Sequence, residues 1–301
     1  MNNLKIIKLR NSNTKLNILP DYGGKISNLS FDGFEVLRPI PTDNIELLKS
    51  YKGGNFALVP FSNRIKNSQF MFKNIVYKLN KNNNVAPHTI HGHGHLTKWD
   101  VVEQSINSVL ISYRHENSKF GWPWAYDVKQ EIILDDYSCS IGLTITNQSN
   151  SEMPFGFGFH PFFNFNDDIK LEFDADKEWL GFPENFPTKT QSIKDNFNIK
   201  NGKSLWKKEK TVSYEGFKGD VKIHWLSYNK SLILQADKIF NHLIVHVPEG
   251  SNYFCVEPAS HPTDGFNLAY NKIENINHRY LEPGQSATGL IKIKLIQKNQ
   301  L

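Results

Sequence analysis

Polar and apolar residues alternate one by one through much of this chain. Between residues 138 and 146, Cys139, Ile141, Leu143 and Ile145 fall on one side of an extended backbone, with small or polar residues on the other. A period of two marks a β-strand with one buried face. Val128, Gln130, Ile132 and Leu134 share a face in the same way, as do Leu243, Val245 and Val247. Near the end, Ile291, Ile293 and Leu295 alternate with Lys292 and Lys294, which predicts a strand with one wet face. Turn pairs such as Asp32-Gly33, Asn201-Gly202 and Pro283-Gly284 separate the runs. Helical periodicity is confined to residues 44–52, enough for one short helix. Residues 78–85 read as a polar, Asn-rich loop and residues 183–204 as a long irregular excursion. Many short strands over the whole length predict an all-β fold, an antiparallel sandwich or barrel-like structure. No Pro-, Ser- or Gly-rich linker divides the chain and no internal repeat stands out, so residues 1–301 are expected to form a single domain.

Composition narrows the setting. Hydrophobic residues make up 39 % and aromatic residues 13 % of the 301, enough for a sizeable core and against global disorder. The net charge of +5 comes from scattered lysines, and the five arginines are dispersed. No block of Lys and Arg is interleaved with aromatics, so no nucleic-acid partner is expected. Cys139 and Cys255 lie far apart in apolar surroundings and are expected to be buried thiols, not a disulfide. The first residues lead into an alternating pattern, unlike a signal peptide, and no run approaches the ~20 apolar residues of a membrane span. A cytoplasmic protein without a membrane partner is the expectation.

Four segments carry candidate chemistry. Glu257 ends an apolar, strand-like run, Tyr253-Phe254-Cys255-Val256-Glu257-Pro258. An ionised carboxylate is costly to bury without a partner, so Glu257 is either a structural salt-bridge residue or a proton-transfer group at raised pKa. Pro258 cannot donate a ladder hydrogen bond, so the strand is expected to stop or reach an edge there. In the second segment, His91, His93 and His95 would share one side of an extended backbone, a pattern able to bind zinc. Glycine at both intervening positions favours a loop instead, with one or two catalytic or sugar-binding histidines, and His88 stands just upstream. In the third, His160 lies in an aromatic run with Phe155, Phe157, Phe159, Phe162 and Phe163, as a proton-exchanging group beside a stacking wall or as a core histidine. In the fourth, Asn63 and Arg64 are neighbouring hydrogen-bonding groups, for a ligand or for the fold. Trp122-Pro123-Trp124 adds exposed-looking aromatics, a loop anchor or a sugar-facing rim.

None of these segments is specific alone, but their order is. Asn63-Arg64-Ile65, then His91-Gly92, then Gly158-Phe159-His160-Pro161, then Val256-Glu257-Pro258 resembles the aldose 1-epimerase (galactose mutarotase) family, in its bacterial branch. Trp99 and Phe266-Asn267 fit the same pattern, and the resemblance covers most of the chain. It implies a large antiparallel β supersandwich with a sugar in an open cleft, and no metal or cofactor. It implies an isomerase that interconverts the α and β anomers of a free hexose such as galactose or glucose. A monomer or a homodimer is expected, with no segment pointing to either. By that resemblance Glu257 is the base, His160 the acid, and His91 a group polarising the ring oxygen. Asn63 and Arg64 would hold hydroxyls. From the residues themselves, Phe162 of the stacking wall and Trp124 of the Trp-Pro-Trp segment are the candidates to contact the sugar.

The chain departs from the family's pattern at Gly216-Phe217-Lys218-Gly219-Asp220, where Lys218 stands in place of an Asp that holds sugar hydroxyls in relatives. Asp220 is the candidate substitute, although a shift of two residues along a strand is about 7 Å. Lys218 motivates one alternative, a carbohydrate-binding protein without turnover; a second alternative is a hexose-6-phosphate mutarotase, for which only Arg64 of the five arginines lies in a motif. A metal-dependent hydrolase built on His91, His93 and His95 is the reading furthest from the resemblance.

Overall fold

The computed structural model describes residues 4–43, 48, 52–82, 86–165, 168–180, 186–193, 203–273, 276 and 279–296. Most of the expected helix at residues 44–52, part of the loop at 78–85 and much of the excursion at 183–204 lie outside them. Within that excursion Lys189–Ser192 and Lys203–Ser204 are strands. Gly265–Tyr270 is a short α-helix.

Two large sheets dominate, with antiparallel pairing throughout. One has nine strands, in the order Asp100–Gln104, Ser108–His115, Tyr126–Asp135, Ser138–Asn147, Ser286–Ile296, Lys230–Ala236, Asp220–Trp225, Ile169–Phe173, Lys203–Ser204. The alternation read in the sequence sets its inner face: Val128, Ile132, Leu134, Cys139, Ile141, Leu143, Ile145, Ile291, Ile293 and Leu295 are all buried. Gln130 joins them because its amide donates to the Gly24 carbonyl (3.1 Å), which satisfies a polar group in the core. The second sheet runs Lys189–Ser192, Lys177–Leu180, Lys210–Glu215, His242–Val247, Tyr253–Ala259, Gly158–Phe159, Ala57–Leu58, with Phe162–Asn164 also paired to Tyr253–Ala259. Its Val212, Tyr214, Leu243, Val245, Phe254 and Val256 share one hydrophobic core with the nine-stranded sheet. A four-stranded meander, Ile7–Arg10, Thr14–Leu19, Lys25–Phe31 and Phe34–Glu35, adds Leu9, Leu16, Ile26 and Leu29 to that core. Both cysteines are buried free thiols, as expected. Among the described residues no helix is long and apolar enough to cross a membrane.

Strands His242–Val247 and Tyr253–Ala259 are buried on both faces over most of their length. With Leu243, Val245, Phe254 and Val256 turned into the core, period two turns Ile244, His246, Cys255 and Glu257 to the opposite face. The predicted stop at Pro258 does not occur: pairing continues through Leu243↔Pro258 to His242↔Ala259. On the other flank the neighbouring chain is interrupted between Gly158–Phe159 and Phe162–Asn164, and the missing N–H of Pro258 falls at this break.

Candidate active site

The floor of the site follows from strand register. Ile244 lies opposite Glu257 and His246 opposite Cys255. On the other side Phe162 lies opposite Cys255, and Gly158 opposite Ala259 in the same register, which sets His160 beside Glu257. The outcome is a contact of 3.4 Å between His160 Nε2 and Glu257 Oε1, with both residues buried. Glu257 Oε2 and His160 Nδ1 are buried with no hydrogen-bond partner among the described residues. The Phe162 ring stacks on His160 with centroids 4.4 Å apart.

A second wall comes from two loops clamped together. Arg64 and Ile65 pair with Ile90 and Thr89. Asn63 and His91 both take left-handed backbone, at φ 56° and 62°. The Asn63 N–H donates to His91 Nδ1 (3.2 Å) and the His91 N–H donates to the Asn63 carbonyl (2.9 Å). Because Nδ1 accepts, the proton of neutral His91 sits on Nε2, leaving that nitrogen as a donor. The His91 and His160 rings stand edge to face, 4.9 Å apart. Phe56 is a plate between the walls, stacked on His95 (5.0 Å) and His160 (4.9 Å) and edge-on to His91 (6.0 Å).

Burial sets the protonation of the group. It pushes the Glu257 carboxyl up to about 8. Burial also lowers His160 and His91 well below the usual imidazole value; the charges of His246 and Lys52 add to the effect on His160, and those of His160, His95, Lys52 and Arg64 on His91. His246, whose Nδ1 lies 2.7 Å from the Thr211 hydroxyl, is brought to about 4 by burial and by the charges of Arg64 and Lys52. Near neutral pH the pair is therefore a carboxylic acid against a neutral imidazole. Removing that proton in place costs on the order of 5 kcal/mol more than in water, so the pair keeps it until a partner stabilises the charge.

The site unites Glu257, His160, His91, Asn63, Arg64 and Phe162. It does not include the other predicted residues. Trp124 and Trp122 are buried, packed on Phe70, with Phe72 and Tyr77 also against Trp124, so they form core and not an exposed rim. Asp220 is exposed on the nine-stranded sheet, where Gln235 donates to it (3.4 Å), and Lys218 pairs with Asp176 (2.6 Å). Among the described residues, neither has a hydrogen bond or ion pair to the site. The three alternating histidines do not converge either, because left-handed backbone at His91 and Gly92 breaks the extended run. His93 turns into the core, where the Tyr126 hydroxyl and His93 Nε2 are 2.8 Å apart and the ring packs on His115. His88 Nδ1 accepts from the Asn67 N–H (3.0 Å). The donor atoms that do come together are those of His91, His160 and Glu257, all within 4.8 Å of one another. Two imidazoles and a carboxylate form a set able to hold a divalent cation.

His246, Phe56, Lys25 and Lys52 were not singled out from the sequence. His246 could have been found: the alternation that buries Leu243, Val245 and Val247 sends it to the side of Glu257. Phe56 and the two lysines carry no local signal.

The architecture places the protein among β sandwiches of the galactose mutarotase type. A galactose mutarotase-like protein from Clostridium acetobutylicum superposes with a TM-score of 0.88 at 21 % identity, covering 98 % of this chain and 96 % of that one. The GalM/aldose epimerase homologue from C. elegans superposes with a TM-score of 0.82 at 18 % identity, covering 98 % and 99 %. At these identities the likeness is one of fold. In sequence, the uncharacterized Escherichia coli K12 protein YphB is 24 % identical over 300 residues, 97 % of this chain and 99 % of YphB. The family model for aldose 1-epimerase matches residues 5–294, and the chain belongs to that family.

Proposed function

We propose that the protein is an aldose 1-epimerase (mutarotase), which interconverts the α and β anomers of an aldohexose, with free galactose and glucose as first candidates. The observation that carries this reading is the buried His160–Glu257 contact at 3.4 Å, with a ring nitrogen of His91 within 4.8 Å of the pair. Anomer exchange opens and recloses the ring: a base takes the C1 hydroxyl proton while an acid protonates the ring oxygen. Each such positioned group is typically worth ~10²–10⁴-fold. Passing its proton to His160 converts the neutral pair into a carboxylate beside an imidazolium without changing net charge. Glu257 then serves as base and His160 as acid, and ring closure on the other face of the aldehyde returns both protons. His91 polarises the ring oxygen, while Asn63 and Arg64 hold hydroxyls. The reaction as written calls on side chains alone and on no cofactor.

The test is polarimetry of freshly dissolved α-galactose and α-glucose with the protein and its Glu257→Gln variant. We expect faster decay of rotation with the native protein and a loss of ~10²-fold or more in the variant. Undiminished acceleration in folded Glu257→Gln would remove Glu257 from the mechanism. Sugar binding without acceleration by the native protein would favour a carbohydrate-binding protein.

A further inference from the structure

Two lysines at the site have no part in the acid–base step. Lys25 opens the strand Lys25–Phe31 and is only 9 % exposed. Its ammonium lies 5.6 Å from the centroid of Phe56, the ring that stacks on His95 and His160. Among the described residues no carboxylate hydrogen-bonds or pairs with it. The charge acting on it is another cation, Lys52, which together with the larger effect of burial brings Lys25 down to about 8. Lys52 is exposed, and the Arg38 guanidinium donates to its carbonyl. The Lys52 charge is felt at His91, His95, His160, His246 and Cys255, which spans the site.

A buried ammonium is ordinarily matched by an acid, because desolvation without a counter-charge is expensive and a second cation adds to the cost. Among the described residues, the carboxyl in the floor, Glu257, is already engaged with His160 at 3.4 Å. A neutral hexose would leave the two lysines uncompensated. An anionic group would supply the missing charge and restore the full ammonium of Lys25.

Resting on the mutarotase reading, we infer that the cleft takes an aldose bearing an anionic substituent, a carboxylate or a phosphate, received by Lys25 and Lys52. The experiment compares kcat/KM for anomer exchange of glucose 6-phosphate and of glucuronate with that of glucose, in the native protein, Lys25→Met and Lys52→Ala. Calorimetric affinities for the same three sugars accompany it. The ratio of anionic to neutral sugar is expected to exceed about tenfold in the native protein and to fall about tenfold in each variant, the usual effect of one charge-assisted contact. Whichever anion gives the larger ratio identifies phosphate or carboxylate as the group. A native preference for glucose, or ratios unmoved by both substitutions, overturns the inference. Should none of the sugars be accelerated, the mutarotase reading fails, and the affinities decide: an anion preference lost in the variants upholds the anion site, and equal affinities overturn it. Lys52→Ala, at an exposed position, keeps the test open if Lys25→Met does not fold.

Discussion

Glu257 and His160 act as one titrating unit, since they are in contact and burial pushes them in opposite directions. The proposed reaction needs one mobile proton on the pair. Above about 8 that proton is lost and only the base remains; far enough below the ordinary imidazole range a second proton arrives and the base disappears. We therefore expect kcat/KM to be level near neutrality and to fall as pH rises through about 8, with that upper limb missing from any residual activity of Glu257→Gln. A rate that instead climbs through pH 8 would mean that Glu257 works as a lone carboxylate. The same atoms offer a check on metal chemistry. A zinc ion bound by His91, His160 and Glu257 would occupy the lone pairs that the proton transfers require. Added zinc should inhibit, and treatment with a chelator should leave the rate unchanged. Loss of activity on chelation, restored by metal, would place a cation in the mechanism.

The element that holds His91 is a loop whose shape is dictated at Gly92. Its φ is +63°, and a Cβ there would lie 2.0 Å from the Val59 carbonyl oxygen, which is backbone and cannot swing aside. Gly92→Ala should cost about 1–3 kcal/mol of stability and displace His91, lowering both the thermal midpoint and the rate. An alanine variant of native stability and activity would show that the clamp is not needed. The strands are legible in the sequence because one wet face writes period two into it, as in residues 138–146. The site was legible in part for the same reason: Glu257 stands out as a charge in a run buried on both faces. His91 with Gly92 was recognisable as a motif, but its direction was not, since left-handed backbone at two successive residues cancels the alternation that would align His91, His93 and His95. Trp124 misled because a Trp-Pro-Trp turn has the same sequence whether it faces water or Phe70. Lys25 and Lys52 were invisible for another reason. Their significance is that no acid pairs with them among the described residues, and that is a property of space and not of sequence.

At the scale of the whole molecule, the folded state holds an unusual number of uncharged imidazoles. Burial lowers His91, His93, His95, His115, His160, His242, His246 and His261, to about 3–4 where a value is resolved. Several sit in aromatic layers, such as His93 against His115 and Phe120, where the desolvation of an imidazolium outweighs the pull of any nearby carboxylate, that of Glu116 on His115 included. Each has its folded pKa depressed below the unfolded value near 6.5, so each contributes stability that is present above 6.5 and lost as pH falls towards the folded value. One unit below 6.5 a single such group costs about 1.4 kcal/mol, and the set together costs on the order of 10 kcal/mol, comparable to the whole stability of a typical domain. Glu257 and Asp264, raised by burial to about 8 and about 6, and Glu35, also raised by burial, work in the opposite sense but are fewer. The urea midpoint should therefore change little between pH 8 and 7 and drop steeply between pH 6.5 and 5, with uptake of several protons on unfolding. A midpoint that holds to pH 5 would require these histidines to be charged inside the fold. The acid–base pair proposed for catalysis would then be sitting in a far wetter site than its burial implies.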